Sequence, residues 1–500
     1  MSTFIYSSAA IKAWDDFTLL EQKISSLELM NRAAAALTHS FKRNVPATSR
    51  ILLLAGHGNN GGDAIAMARL LHEQHYQVQL YRMAADNYSP DNQAQWLLAQ
   101  AAAVPIISEM NSFQLQHANW VVDGLLGNGV NRQATGSYAD CINVVNQLQL
   151  PVFSIDLPSG MPGAGAFDHT WPIVKAQMTA CLGQHKFNML LPASEAPIGE
   201  LELVDIGLSK HFRHLDRLAE IISPTAEQPI LPSRTNFSHK GSNGHALLIA
   251  GSEGYYGAAL LAANACVASG AGLTTAAIPA LFQAAFSASL PEATTIATGA
   301  RFWEQPIALL PYQAIGVGMG IGQEHATRAA LLELLRTYKG PVLLDADALN
   351  LLSTLGQDGL SAIPQGSILT PHPKEFDRLF GAQPHWWARL DALQAAAEKL
   401  HCTIVLKNAY TFVAAPGRAL QVNLTGNPGL AKGGSGDVLS GIITALLAQG
   451  LSTFNAARLG VWLHGTAADI ALLSSSLESL TPTAVINAIP AVFRSLRLTK

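Results

Sequence analysis

The chain has 500 residues, of which 49% are hydrophobic and only 13% charged, so it can bury large cores and is too long for one ordinary domain. A net charge of -4 and the lack of any Lys/Arg cluster exclude a basic nucleic-acid-binding surface. Four widely separated cysteines (Cys141, Cys181, Cys266 and Cys402) with no CxxC pair exclude a disulfide framework and a zinc site, and predict buried free thiols in a reducing cytoplasm.

In chain order, the N-terminus "MSTFIYSSAAIKAWDDF" lacks a basic segment followed by a long apolar one, so no export signal is expected. Apolar runs at 51–56 ("ILLLAG"), 77–83, 119–124 and 151–156 ("PVFSID") each end in a turn and a helical pattern. A second series occupies 245–252, 314–318, 341–347, 367–373 and 403–408. Continuous apolar strands alternating with helices predict α/β domains with largely parallel sheets covered on both faces. The proline-bearing stretch 223–241 has no helical period and is expected to lead into the second domain, which divides the chain into 1–222 and 223–500. The uncharged segment 254–291 is broken by Asn264, Ser269, Gly270 and Pro279 short of roughly 18 continuous apolar residues, so a buried helix–strand unit is expected, not a membrane span.

"ILLLAGHGNNGGDAIAMARLL" reads as strand, glycine-rich turn and helix, a geometry that brings backbone amides to an anionic group. It is neither GxGxxG nor a P-loop, and tight strand–helix packing would explain it equally. Asp123 and Asp156 each follow an apolar strand, where open α/β sheets collect ligands. Asn60, Asp123 and Ser159 offer hard oxygen donors to a monovalent or divalent cation. "HEQH" (72–75) has the wrong spacing for a zincin and reads as an exposed helix end.

"GNNGGD", "DGLLGNG" and "DLPSG", in this order, resemble the NAD(P)H-hydrate epimerase domain over roughly residues 10–215. The resemblance implies a Rossmann-like α/β/α sandwich in which Asn59, Asn60, Gly61, Gly62 and Asp63 line the hydrated nicotinamide nucleotide. Gly127, Asn128, Gly129, Val130, Asn131, Arg132 and Gln133 would line it too. It further implies potassium held by Asn60, Asp123 and Ser159, with Asp156 contacting substrate as the acid–base group. Ala64 stands where this family usually has another glycine, and Gln177 and His185 replace a common Asp and Pro.

In the C-terminal half, "GNPGLAKGGSGDVLSG" (426–441) sets one acid at the end of a glycine ramp. Leu439, Ile442, Ile443, Leu446 and Leu447 then follow a helical period, so Asp437 falls in the first turn. The amides of Gly434, Ser435 and Gly436 are expected to form an anion hole for a transferring phosphoryl group, with Asp437 as base toward the attacking hydroxyl. The plainer reading of Asp437 is a partner for the helix dipole, worth about 0.3–1 kcal/mol. Asp345 and Asp347 either help order magnesium or cap a strand end.

"GGSGD" resembles the GxGD signature of ribokinase-like enzymes. Together with "HKGSNGHALLIAGSEGYYG" (239–257), "TPHPKEFDRLFG" (370–381), "LLDADALN" (343–350) and "LKNAYT" (406–411), it closely resembles the ADP-dependent NAD(P)H-hydrate dehydratases. The resemblance spans about 235–495 and implies a ribokinase-like α/β domain. Ala258, Gly320 and His372 would line the substrate cleft with Asp437. Lys407, Asn408, Ala409, Tyr410, Thr411 and Gly436 would line the adenine nucleotide, bound with magnesium.

Both halves point to one bifunctional repair enzyme of the cytoplasm. It would take NADH and NADPH hydrates (NADHX/NADPHX) and ADP as ligands, form a homo-oligomer, and bind neither nucleic acid nor membrane. Two rivals stand beside this reading: a ribokinase-like kinase of a small hydroxylated metabolite, and a degenerate binding or assembly module in the N-terminal half.

Overall fold

A computed structural model of the chain describes residues 4–109, 118–224 and 230–498. Met1–Leu218 and Ala219–Lys500 form two compact units. Of the expected interdomain stretch, residues 225–229 lie outside the described residues.

In the first unit, seven described strands form a parallel sheet. Their order is Ile106–Ile107, Gln77–Arg82, Arg50–Ala55, Trp120–Gly124, Val152–Ile155, Met178–Leu182 and Glu200–Val204. Successive side chains of a strand face opposite sides, and here both sides are covered. Leu53 and Ala55 pack on Leu37 and Phe41 of helix Ser26–Asn44 and on Ile65 and Ala68 of helix Asn59–Glu73. Leu52 and Leu54 pack on Ile142 and Val145 of helix Gly136–Gln147. Each such side chain contributes about 1.5–3 kcal/mol by burial. That two-sided burial is why the run at 51–55 is apolar throughout and does not alternate. Helix Ser26–Asn44 starts at a capping box between Ser25 and Glu28, worth about 1 kcal/mol.

The strand order of this sheet reverses beside Arg50–Ala55, which has Gln77–Arg82 on one side and Trp120–Gly124 on the other. Beyond the carboxyl ends of these strands lies the crevice where open sheets take their ligands.

The second unit carries its strands in the order Gln421–Asn423, Thr411–Ala414, Thr403–Leu406, Ile368–Leu369, Val342–Leu344, Ala314–Val317, His245–Ile249, Leu273–Ile278 and Thr294–Ala297. The pairs from Thr403–Leu406 to Thr294–Ala297 are parallel, as the sequence predicts. Thr411–Ala414 and Gln421–Asn423 instead pair antiparallel. The reason is the connection: Lys407–Tyr410 is far too short for a parallel crossover, which takes about a dozen residues or more. The uncharged stretch near 254–291 forms helix Tyr256–Ala268 and strand Leu273–Ile278 within this core. Among the described residues no helix is long and apolar enough to cross a membrane. None of the four cysteines is in a disulfide, and all four are buried.

Helix Ser435–Ala448 runs through the middle of this second core. Of its residues only Gly436 and Asp437 are not buried. Its N-cap is Gly434, whose φ of +96° favours glycine.

Candidate functional site

At the sheet reversal of the first unit lies a cleft of about 1060 Å³. Asn59, Asn60, Asp63, Gly127, Asn128, Gly129, Val130, Asn131, Arg132, Gln133 and Asp156 all line it. Gly61 and Gly62 do not; they are buried in the first turns of helix Asn59–Glu73. The methyl group of Ala64 is also sunk in the core, and a Cβ built on Gly124 would come within 2.5 Å of it. The missing glycine at 64 is therefore matched by one across the helix–strand contact.

Asp156 follows strand Val152–Ile155 with a φ of +64°, a conformation uncommon outside glycine. Its amide donates to the Ala180 carbonyl at 2.8 Å, and the Leu182 amide donates to its Oδ1 at 3.1 Å. The decisive neighbour is Lys186, which no sequence motif singled out. Its ammonium ion-pairs with Asp156 and donates to the Leu182 carbonyl at 2.9 Å, with its side chain only 3% exposed. Burial, the largest influence, would lower the Lys186 pKa, but the attraction and hydrogen bonds of Asp156 and Cys181 together outweigh it and hold the ammonium above its ordinary value.

Other carboxyls line the same cleft, Asp63 and Asp15 among them. Burial, then the negative charges of Asp156, Asp15 and Asp91, pushes Asp63 well above the usual range. Burial pushes Asp15 up to about 7, with Lys186 opposing and Asp156 and Asp16 reinforcing. His185 is driven down to about 4 by burial and then by Lys186, so its ring is neutral at pH 7.

Asp123 and Ser159 lie just behind this cleft. Asp123 is fully buried and accepts four protein hydrogen bonds: from Ser154 Oγ at 2.9 Å, from the Ser159 amide at 2.8 Å, from Ser159 Oγ at 2.5 Å and from the Leu125 amide at 3.2 Å. Its acceptor capacity is filled. Asn60 Nδ2 donates to the Leu126 carbonyl at 3.0 Å, and Ser159 Oγ lies 3.1 Å from that same oxygen. Asn60 and Ser159 thus meet at the Leu126 carbonyl, a group the sequence did not single out, and Asp123 is tied to them through Ser159.

In the second unit the carboxyl of Asp437 has no hydrogen bond or ion pair among the described residues. Burial, then the negative charge of Asp345, pushes it up to about 7, against the pull of Lys407. Among the described residues no intramolecular hydrogen bond engages the Gly434 and Gly436 amides. The Ser435 amide, by contrast, donates to the Lys432 carbonyl at 3.3 Å. The expected three-amide hole is therefore reduced to two committed-free donors, because the chain closes a turn through Ser435.

Lys407 begins the hairpin turn Lys407–Tyr410 and aims its ammonium at Asp345 Oδ1 (2.7 Å), with Glu375 Oε2 at 3.9 Å. Ser440, one helical turn beyond Gly436, donates to the other Asp345 oxygen at 2.7 Å. Asp345 thus has a protein donor on each oxygen, whereas among the described residues Asp347 accepts only from the Gly322 amide at 3.0 Å and Gln323 Nε2 at 3.3 Å. His372 caps helix Pro373–Phe380: its Nδ1 accepts from the Lys374 and Glu375 amides at 3.1 and 3.2 Å. Its pKa is lowered by burial, with Glu375 and Lys407 acting on it, so His372 belongs to the Lys407–Asp345 cluster. Ala258 and Gly320 meet across the start of helix Tyr256–Ala268, where a Cβ on Gly320 would lie 3.2 Å from that of Ala258. Asn408 leaves its Nδ2 buried without a partner, Tyr410 is largely buried, Ala409 is exposed, and Thr411 opens the next strand.

The NAD(P)H-hydrate dehydratase family matches residues 246–491, and the YjeF-related protein N-terminus family matches residues 26–187. A bifunctional NAD(P)H-hydrate repair enzyme of Moorella thermoacetica is 32% identical over 99% of this chain and 97% of its own length. One from Coxiella burnetii is 34% identical over 93% of this chain and 94% of its own. The chain belongs to the bifunctional NAD(P)H-hydrate repair enzymes. Within that family it carries both the epimerase-type and the dehydratase-type domain, and the match favours a hydrate dehydratase over a small-metabolite kinase. Among solved structures, the ADP/ATP-dependent NAD(P)H-hydrate dehydratase of Bacillus subtilis, co-crystallised with ATP and magnesium, superposes with a TM-score of 0.50 at 32% identity. It covers 55% of this chain and 98% of that one.

Proposed function

We propose that residues 219–500 dehydrate S-NAD(P)H hydrate at the expense of ADP, with Asp437 as base. The observation carrying this reading is a partnerless carboxyl, raised to about 7, at the start of a buried helix beside two uncommitted amides. A carboxyl poised near the working pH can take the proton of the C6 hydroxyl as the terminal phosphoryl group of ADP reaches that oxygen. The Gly434 and Gly436 amides and the helix N-terminus face the charge that develops on phosphorus. Phosphate then leaves C6 with the C–O bonding pair, a proton is lost from C5, and the double bond of the dihydronicotinamide is restored, leaving AMP and phosphate. Ala258, Gly320 and His372 line the hydrate pocket, and Lys407 to Thr411 the adenine nucleotide. Asp347 and the nucleotide phosphates suit magnesium, a hard cation that takes few protein carboxylates when phosphates complete its shell; it would screen phosphate charge.

Residues 1–218 epimerise the R and S hydrates in the cleft around Asp156. Oxygen donors of Asn60, Ser159 and the Leu126 carbonyl, with the charge of Asp123 behind them, suit potassium. When bound, that ion would offset negative charge beside the nucleotide. Asp156, fixed by Lys186, accepts or returns the proton at the C6 oxygen. The cytoplasm is the compartment that four cysteines outside any disulfide fit.

The test incubates the full chain with mixed hydrate epimers, magnesium and either ADP or ATP, following absorbance of the reduced coenzyme. Complete recovery is expected, whereas Asp156→Asn should leave the R form unconsumed. A stable phosphorylated product without reduced coenzyme would overturn the dehydratase reading in favour of a kinase.

A further inference from the structure

The cleft of the first unit contains more proton-bearing chemistry than the Asp156–Lys186 pair. Helix Ser8–Gln22 is locked in rotation by its inward stripe: Ala10, Trp14 and Thr18 are buried, and Trp14 Nε1 donates to the Ser209 carbonyl at 2.7 Å. That leaves the adjoining stripe, Ser8, Ile11, Lys12, Asp15 and Leu19, on the wall of the cleft. The spacing of three and four residues is that of one helix face.

We propose that Asp15 is the second proton-transfer group of the epimerase site, acting opposite the Asp156–Lys186 pair. The inference rests on the epimerase reading above and adds a residue and a role to it. Three observations carry it. Asp15 makes no hydrogen bond or ion pair among the described residues, although it lines a cleft rich in donors. Asp63, more than nine-tenths buried and likewise without a partner, faces the same space. Asp156, in contrast, has its Oδ1 held by both Lys186 and the Leu182 amide. A carboxyl without a partner and a carboxyl bound to a cation thus share one cleft, an arrangement that can set an acid and a base side by side.

The groups facing Asp15 are Lys186, Asp156 and Asp63 from other elements, with Asp16 and Lys12 on its own helix. Burial and the negative neighbours hold its proton at neutral pH, up to about 7.

Inverting a carbon that carries a hydroxyl beside a ring nitrogen needs both an acid and a base. Asp15 gives its proton to the C6 hydroxyl, the C6–O bond breaks, and the oxygen leaves as water with the bonding pair. The lone pair of the ring nitrogen fills the vacancy and C6 becomes planar. Water then adds to the opposite face, the new C–O bond forms, and its surplus proton passes to the Asp156 carboxylate. Nothing is oxidised or reduced, one water leaves and one enters, and the reverse reaction exchanges the two roles.

The experiment compares the full parent chain with Asp15→Asn and Asp15→Glu on R-hydrate, reading epimerisation through coupled dehydration by the same chain. Asp15→Asn should lower epimerisation kcat by about 100- to 1000-fold. KM and the dehydratase rate on pure S-hydrate should stay unchanged, and Asp15→Glu should restore part of the loss. The parent profile of epimerisation against pH should fall on the alkaline side with a midpoint near 7. That limb should vanish in Asp15→Asn. A variant within about threefold of the parent and with the same pH profile would overturn the proposal. So would equal losses in both activities and in melting temperature, which mark structural damage alone. A parent that dehydrates S-hydrate but never epimerises would instead remove the epimerase reading itself, and is recognised before any variant is made.

Discussion

The two units place a lysine against an aspartate in opposite ways. In the first, Lys186 pairs with Asp156 itself, so the candidate acid–base carboxyl is held by a buried ammonium. In the second, Lys407 pairs with Asp345, and the candidate base Asp437 is left without a direct partner, beside a neighbouring negative charge. One device fixes the position of a carboxylate. The other keeps a carboxyl reluctant to ionise, which matches a base that must act near neutral pH.

The sharpest break of this contrast is Asp437→Asn. It should reduce dehydration by about 100- to 10,000-fold, measured as reduced coenzyme formed from S-hydrate with ADP and magnesium, while epimerisation persists. An undiminished rate would show that Asp437 is only a helix-dipole partner.

Next in size is Lys186→Met, which leaves the Asp156 charge buried without its cation. A loss of about 3–5 kcal/mol in unfolding free energy is expected by denaturant titration. Lys407→Met should show a smaller loss, because the Lys407 side chain is 21% exposed against 3% for Lys186.

The electrostatics of the second site also set a pH dependence. A base with a folded pKa raised to about 7 is lost as pH falls, so kcat/KM for dehydration should decline below about pH 7. Asp345→Asn removes a neighbouring negative charge and frees Lys407, which should move that limb toward acid. Stability has the opposite sign to activity. Between the unfolded value of 3.8 and about 7, the folded state holds the Asp437 proton that the unfolded chain has released, so its contribution worsens as pH rises. Asp437→Asn should therefore be more stable than the parent at pH 8, by about 2–4 kcal/mol at most. A thermal melt at pH 5 and at pH 8 checks both the sign and the window.

The mildest test concerns packing under the first site. Gly124→Ala should cost about 1–3 kcal/mol by forcing two methyl groups together, and adding Ala64→Gly should recover part of it. Additive losses in the double variant would show that the Asn60 and Leu54 carbonyls nearby are the real obstacle.

Legibility in the sequence followed from how each feature is encoded. Strands buried on both faces, such as Arg50–Ala55 and His245–Ile249, write themselves as apolar runs. Glu200–Val204 did not, because at the sheet edge it is only partly buried and its short "ELELV" alternates polar and apolar residues instead of forming an apolar run. The hairpin after Leu406 was missed as antiparallel because direction is set by loop length, not by composition. At the sites, glycine-rich turns announced themselves, and Asp437 could be placed in its first turn by helical period alone. Lys186 and Asp15 lie outside the recognisable motifs, and Leu126 and Ser440 lie inside them without being singled out: each matters through a neighbour from a distant part of the chain. The filled Asp123 and the occupied Ser435 amide were illegible for the same reason, since residue type does not reveal whether an acceptor or donor is already engaged.

The left-handed turn at Asp156 governs which replacement is informative there. Asparagine tolerates that twist of the main chain, so Asp156→Asn removes charge and leaves the peptide path alone. Alanine would resist the same dihedral and shift the following residues, so its phenotype would mix chemistry with shape. Glycine would relax the corner instead, and a chain that gains thermal resistance from it would reveal how much distortion the native residue withstands to sit where it does.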